Sequence, residues 1–264
     1  MIDKEIVDVL KKEGIEKGDV VLVASNISKF LFNLAKRRKC QLNKEIAKSL
    51  ADMIIDSLQH CISEEGTILF PTYNWDFCTG KPFDYKKTKS ETGVLSQIAL
   101  EREDFIRTQH PIYSFAVWGR DQEILYQMED KNSFLGNTPF NYLFKKNAKM
   151  IIIDELLNNS FTYVHYVEER CEVQYRFKKK FTAEYIDINN IKSLREYFMY
   201  VRYLDEEKNV ITDFSGLEKL LMKNKVMKIF DLIGVDVRVL RFKSADKIIE
   251  NDIIYNESRN LISC

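Results

Sequence analysis

The chain reads as an α/β protein: a layered α/β/α domain around a central mixed β-sheet, with a smaller β-rich C-terminal elaboration. Three short apolar runs, "DVVLVAS" at 19–25, "TILF" at 67–70 and "AKMIII" at 148–153, show no alternation, as expected of strands buried on both faces. Helical periodicity separates them, most clearly in "NKEIAKSLADMIIDSLQHCI", with apolar residues at 46, 47, 50, 54, 55, 58 and 62. Beyond residue 170 the run "CEVQYRFKKKFTAEYIDI" alternates and is rich in Tyr, Phe, Val and Ile, the pattern of an antiparallel hairpin.

Taken in order, Ile2, Ile6, Val9 and Leu10 give one apolar face of a first helix, and Gly14 and Gly18 bracket the turn into the first strand. The long helix and an "EEG" turn lead to the second strand, which Pro71 ends. From 71 to 91 periodicity collapses into "PTYNWDFCTGKPFDYKKTKSE". A loop that long is functional or disordered, and its aromatics favour function, with a packed surface loop as the alternative. "TGVLSQIALE" predicts a helix opening near Thr92, and "YSFAVWG" a strand. Short helices are expected from Asp121 and toward Lys146, and the third buried run ends at Asp154. A helix then starts near Asn159 or Ser160. After the hairpin, "LEKLLMKNK" reads as helix, "DVRVLRF" as strand and "ADKIIENDIIYN" as a last helix. With no low-complexity linker or internal repeat, one domain is expected, its core at about 15–170 and the elaboration at about 171–264.

Composition narrows the function classes. Lys+Arg and Asp+Glu both number 40, so nothing global favours nucleic acid, and no apolar run approaches the ~18 residues of a membrane span. The five cysteines at 40, 61, 78, 171 and 264 form no CxxC pair, which fits a reducing cytoplasm. The three histidines have no H-x-x-x-H or H-x-H spacing, so no metal is expected. G-x-S-x-G, Walker and G-x-G-x-x-G patterns do not occur.

The chemistry-bearing candidates sit elsewhere. In "FTYVHYVEER" (161–170), His165 and Glu168 lie at i and i+3 and share a helix face. A carboxylate beside an imidazole orients it and raises its basicity near neutral pH, although spacing alone leaves a packing histidine the commoner reading. His110, before Pro111 and three residues after Arg107, belongs to an anion-binding turn or an ordinary polar one. His60 reads as a surface or half-buried residue. "DVVLVASNIS", "TILFPTYNW" and "MIIIDELLNNSFTYVH" place polar or aromatic residues directly after buried strands, where layered α/β proteins gather ligands.

In order, "KGDVVLVASNIS", "GTILFPTYNWDF", "KPFDYKKTKSETGVLSQ", "RTQHPIYSFAVWG", "FLGNTPFNYL" and "FTYVHYVEE" resemble the aminoglycoside 3-N-acetyltransferase family over roughly residues 15 to 170. The combination of R-x-x-H-P-x-x-S with a later T-x-x-H-x-x-E carries most of the specificity. The resemblance implies an acyl-coenzyme A co-substrate, His165 as general base, Glu168 as its partner and Thr162 as the matching preceding threonine. It implies Arg107, His110 and Ser114 near the coenzyme, and Ser25 and Ser28 near its pantetheine and phosphates. Relatives usually read H-S-S after the first strand, where this chain has Ala24-Ser25-Asn26.

In the less clearly matched last third, Asp213 in "TDFSGLEKLL" is expected to meet a cationic amine. Balanced charge, where such relatives are usually acidic, together with Tyr73, Asn74, Trp75 and Asp84 in the aromatic loop, points to a nucleotide-linked dideoxy amino sugar as acceptor; an aminoglycoside is the alternative. Direct attack is expected, with an acyl-Cys171 route left open. A metal-assisted hydrolase using His110, His165 and Glu168 and a non-catalytic coenzyme-binding protein are the competing readings. Either a monomer or a homodimer is compatible with the sequence.

Overall fold

A computed structural model describes residues 1–204 and 209–263; Cys264 lies outside the described residues. The chain opens with α1 (Lys4–Lys12), β1 (Val20–Ser25), α2 (Ser28–Arg37), α3 (Lys44–Ile62), β2 (Thr67–Pro71), a 3₁₀ turn (Asp76–Thr79) and β3 (Phe83–Asp84). It continues through α4 (Val94–Glu101), β4 (Ile106–Arg107), β5 (Phe115–Gly119), α5 (Gln122–Tyr126), α6 (Pro139–Lys145), β6 (Lys149–Ile153), α7 (Leu157–Ser160) and α8 (Val164–Arg170). The last third holds β7 (Arg176–Ile186), β8 (Lys192–Arg202), β9 (Ile211–Thr212), α9 (Ser215–Lys223), β10 (Met227–Leu232), β11 (Val235–Arg241), α10 (Phe242–Asn256) and β12 (Ile262–Ser263).

Among the described residues the central sheet has seven strands in the order β10-β11-β6-β1-β2-β5-β4. Its centre is parallel, Val21 pairing with Ile68 on one side and Lys149 on the other. β5, β11 and β10 run antiparallel to their neighbours, so the sheet is mixed. Both faces are covered, which explains the unbroken apolar runs. Val21, Val23, Ile68, Phe70, Ile151 and Ile153 point toward the layer of α1, α3 and α4. Leu22, Ala24, Leu69, Met150 and Ile152 point toward the opposite layer, built from α6, α8, α9 and α10. The hairpin β7–β8 forms a second sheet with β3, and β10, β11 and α10 return to the central layers.

Three segments depart from the sequence reading. The polar residues after β1 were expected in a loop, but Ser28 opens α2, whose Phe30, Leu31, Leu34 and Ala35 form a buried stripe. The helix expected from Asn159 is broken in two. Phe161 and Tyr163 both pack on Phe242 of α10, with ring centroids at 6.1 and 4.6 Å, and residues two apart cannot share one helix face. The backbone therefore leaves helical geometry at Phe161 (φ −94°, ψ 58°) and restarts at Val164. Thr92 does not cap α4 either: Gly93 holds that position and the Thr92 hydroxyl donates to the Pro71 carbonyl.

Candidate active site

The parallel strands β1, β2 and β6 end on the same edge of the sheet, and their outgoing loops enclose a cleft of about 410 Å³. β1 contributes residues 24–28, including Ser25 and Ser28; β2 contributes Pro71, Tyr73 and Trp75; β6 contributes Glu155, Asn159, Ser160 and Thr162. Residues 91–94, at the start of α4, close the fourth side. Gly93 is suited to this wall, since its φ of +98° is strained for an L side chain and a Cβ there would lie 3.0 Å from the Ser25 carbonyl oxygen. Among the described residues that line the cleft none is Lys, Arg or His, whereas Glu91 and Glu155 are both present. Their carboxylates accept from the side-chain amides of Asn74 (3.1 Å) and Asn159 (2.9 Å) respectively.

Thr162 lies in the break before α8, and its carbonyl accepts the His165 N–H at 3.0 Å, so the histidine follows one turn behind the cleft wall. His165 Nδ1 lies 2.6 Å from Glu168 Oε2. Glu168, 1% exposed, also accepts from the Tyr175 hydroxyl at 3.0 Å, and Arg176 Nε lies 2.7 Å from its Oε2 in a buried ion pair. Burial pushes the His165 pKa below the usual histidine value, and the Arg176 guanidinium pushes the same way; Glu168 opposes both. For Glu168, burial favours the protonated form but is outweighed by His165 and Arg176, which hold its carboxyl below the usual range. The pair is thus a neutral imidazole beside a carboxylate. With Nδ1–H directed at Glu168, the basic lone pair sits on Nε2. The ring packs edge-on against Phe134 at 5.8 Å.

The structure brings together Ser25, Ser28, Tyr73, Trp75 and Thr162 on the cleft, with His165 and Glu168 behind Thr162. It does not bring the others there. Arg107 is buried, donating from Nε to Ser114 Oγ (3.0 Å) and from Nη1 to the Thr88 carbonyl (2.5 Å), with Phe83 under its guanidinium. Ser114 Oγ in turn donates to the Thr72 carbonyl at 2.8 Å. His110 Nδ1 accepts the backbone N–H groups of Ile112 and Tyr113, and burial pushes its pKa down to about 3. Arg107, His110 and Ser114, expected near the coenzyme, do not line the cleft. Arg107 and Ser114 fasten the 72–88 loop to β4 and the start of β5, while His110 caps the turn of Ile112 and Tyr113. Asn74 does not line the cleft itself but donates to Glu91 on it and to the Lys89 carbonyl, and Asp84 accepts from the N–H groups of Lys86 and Lys87 to cap a turn. Asp213 accepts from the Ser215 N–H at the start of α9 and does not line the cleft.

Sequence reasoning missed Glu91, Gly93 and Glu155 on the cleft and Tyr175 and Arg176 behind it. The last two sit next to each other in an alternating strand, a pattern that reads as an ordinary hairpin. Cys171 caps the far end of α8, away from Thr162, and burial pushes its thiol pKa up, the wrong direction for a nucleophile. Among the described residues no three His, Cys, Asp or Glu side chains gather as metal ligands, and no helix is long and apolar enough to cross a membrane.

No curated protein matches the chain significantly. Similar solved structures include the YokD protein from Bacillus subtilis (20% identity, 95% of this chain and 98% of that one, TM-score 0.72). Others are AAC-IIIb in a binary complex with CoASH (15%, 96% and 97%, 0.73) and a mutant of the aminoglycoside acetyltransferase AAC(3)-IVa in complex with apramycin (15%, 96% and 92%, 0.70). At these identities they establish a shared fold. The model of the family described as aminoglycoside 3-N-acetyltransferase matches residues 45–251, most of the chain and all of the segment from α4 to α8. The protein belongs to the aminoglycoside 3-N-acetyltransferase family.

Proposed function

We propose that this protein transfers an acetyl group from acetyl-coenzyme A to an amine of an aminoglycoside by direct attack, with His165 as general base and Glu168 as the group that orients it. The carrying observation is the His165–Glu168 contact of 2.6 Å one helical turn behind Thr162, at the carboxyl ends of three parallel strands. A sugar amine is largely protonated at neutral pH, so a positioned base of suitable pKa accelerates its attack. A neutral His165 with Nδ1–H held by Glu168 presents Nε2 for that task. There it takes the proton the attacking amine loses and returns it to the departing thiolate, while Glu168 stabilises the imidazolium formed in between.

The residues of the cleft fit both substrates. Ser25, Asn26, Ser28 and bare Gly93 form a narrow polar wall. At the N-terminus of α2 the N-cap residue Ile27 offers no side-chain cap, Asn26 Oδ1 accepting only the Ser28 N–H at 3.4 Å, so further N–H donors remain for an anionic ligand. Acetyl-coenzyme A, when bound, supplies the activated acyl carbonyl. Glu91 and Glu155 complement a polycationic acceptor, which favours an aminoglycoside. The nucleotide-linked amino sugar expected from the aromatic loop finds no support: Tyr73, Phe77, Phe83 and Tyr85 are buried among other rings, and Trp75 alone of that loop's aromatics is substantially exposed.

Release of coenzyme A thiol, measured across aminoglycosides and nucleotide-linked amino sugars, tests the reading. Turnover on an aminoglycoside is expected, falling at least ~10²-fold in His165→Ala with coenzyme binding retained. Unchanged turnover in that variant would overturn the role of His165.

A further inference from the structure

Glu168 lies in a seven-residue helix, too short to hold a side chain rigidly by itself. Its surroundings come from another element. Arg176, the first residue of β7, is 7% exposed, and its Nε lies 2.7 Å from the same Oε2 that faces His165 Nδ1. Tyr175, one residue earlier, donates to the other oxygen, Oε1, at 3.0 Å. Arg176 Nη1 is itself tied to the Tyr200 carbonyl across the hairpin, at 3.4 Å. A guanidinium fixed on one sheet thus sets its charge against the carboxylate that serves the imidazole of another layer.

We propose that Arg176 is a positioning residue of the site, its buried guanidinium holding the Glu168 carboxylate in the orientation from which it fixes the imidazole of His165. The inference rests on the acetyltransferase reading of the site. The charged and titratable groups around the pair are Glu168 on α8, Tyr175 and Arg176 at the start of β7, and Tyr200 and Arg202 on β8. Arg202 donates to the Val210 carbonyl and is engaged elsewhere. Arg176 is therefore the cation that balances Glu168. Without it, the carboxylate has only His165 to neutralise it, the imidazolium is favoured, and the base is lost to protonation at a higher pH.

Histidine-ring NMR separates this inference from the catalytic reading, because it follows His165 whether or not it is a base. With three histidines in the chain, the resonance is assigned by its loss in His165→Asn. In Arg176→Gln the His165 titration midpoint is expected to rise by about one pH unit, the usual scale for a close buried charge. The acid limb of kcat/KM moves by the same amount, with kcat lowered more than KM is raised. Arg176→Lys keeps the charge without the planar fork, so it retains the wild-type midpoint while kcat falls several-fold. An unmoved midpoint in Arg176→Gln overturns the proposal. If that variant does not fold, Arg176→Lys decides: wild-type midpoint with reduced kcat supports it, and wild-type kcat overturns it. A shifted midpoint in a protein that acetylates no amine would leave the Arg176 inference standing and refute the catalytic reading alone.

Discussion

Glu168→Gln changes almost no volume and tests both halves of the site. The wild-type carboxylate is acceptor only: it accepts from His165 Nδ1 at 2.6 Å and Tyr175 Oη at 3.0 Å, and is paired by charge with Arg176, whose Nε lies 2.7 Å away. A glutamine amide has one acceptor oxygen. If that oxygen keeps Tyr175, the amide nitrogen is turned toward both His165 and Arg176. The imidazole can satisfy it only by moving its own proton from Nδ1 to Nε2, the atom that must take a proton from the amine. Turnover should fall by roughly 10²–10⁴, the range expected when a general base is lost. The second cost is structural. Arg176 is left buried without its counter-charge, which costs about 3–5 kcal/mol. For a chain of this size that corresponds to a drop in Tm of roughly 6–20 °C. Thiol release at saturating substrates and thermal unfolding by circular dichroism read the two effects separately. A variant that melts within ~2 °C of wild type and keeps a third or more of its turnover would refute the roles assigned to Glu168 and Arg176.

Other perturbations have equally definite outcomes. Cys171→Ala should keep turnover within about two-fold, since its thiol is pushed up by burial and caps the end of α8 remote from Thr162; a loss beyond ten-fold would restore the acyl-cysteine route. His110, its pKa pushed down to about 3, stays neutral in the folded state where the unfolded chain takes a proton near pH 6.5. Stability therefore falls as the pH drops through that window, and His165, shifted the same way, adds to the loss. Between pH 7.5 and 5, His110→Gln should lose about 2 kcal/mol less than wild type in urea unfolding, and an equal loss in both would contradict the burial argument.

The central sheet was legible because strands buried on both faces leave unbroken apolar runs, and α3 because nineteen residues keep one period. α2 left the same kind of signal in Phe30, Leu31, Leu34 and Ala35, but the polar Ser25, Asn26 and Ser28 drew attention to the loop before it. β10 escaped because it is an edge strand with Lys228, Ile229 and Asp231 exposed, so its pattern is broken. At the site, His165 and Glu168 were readable as an i, i+3 pair. Their third partner was not, because Arg176 meets them only through the placement of a hairpin against a helix. The converse happened at Arg107, His110 and Ser114: a distinctive motif encodes a buried fastening, and spacing cannot tell an arginine that binds a ligand from one that binds carbonyl groups.

The break before α8 has a consequence for how the molecule is assembled. Tyr163 donates to Asp246 Oδ2 at 2.7 Å and Arg170 grips both oxygens of Asp246 at 2.9 and 2.8 Å, so the two ends of α8 are anchored to a residue of α10 more than seventy positions later. A nascent chain that has emerged only as far as β11 already contains every residue of the cleft. It lacks the anchor that sets the angle of the histidine helix. Competence therefore waits for α10 to emerge and dock, well after the residues of the cleft have been made.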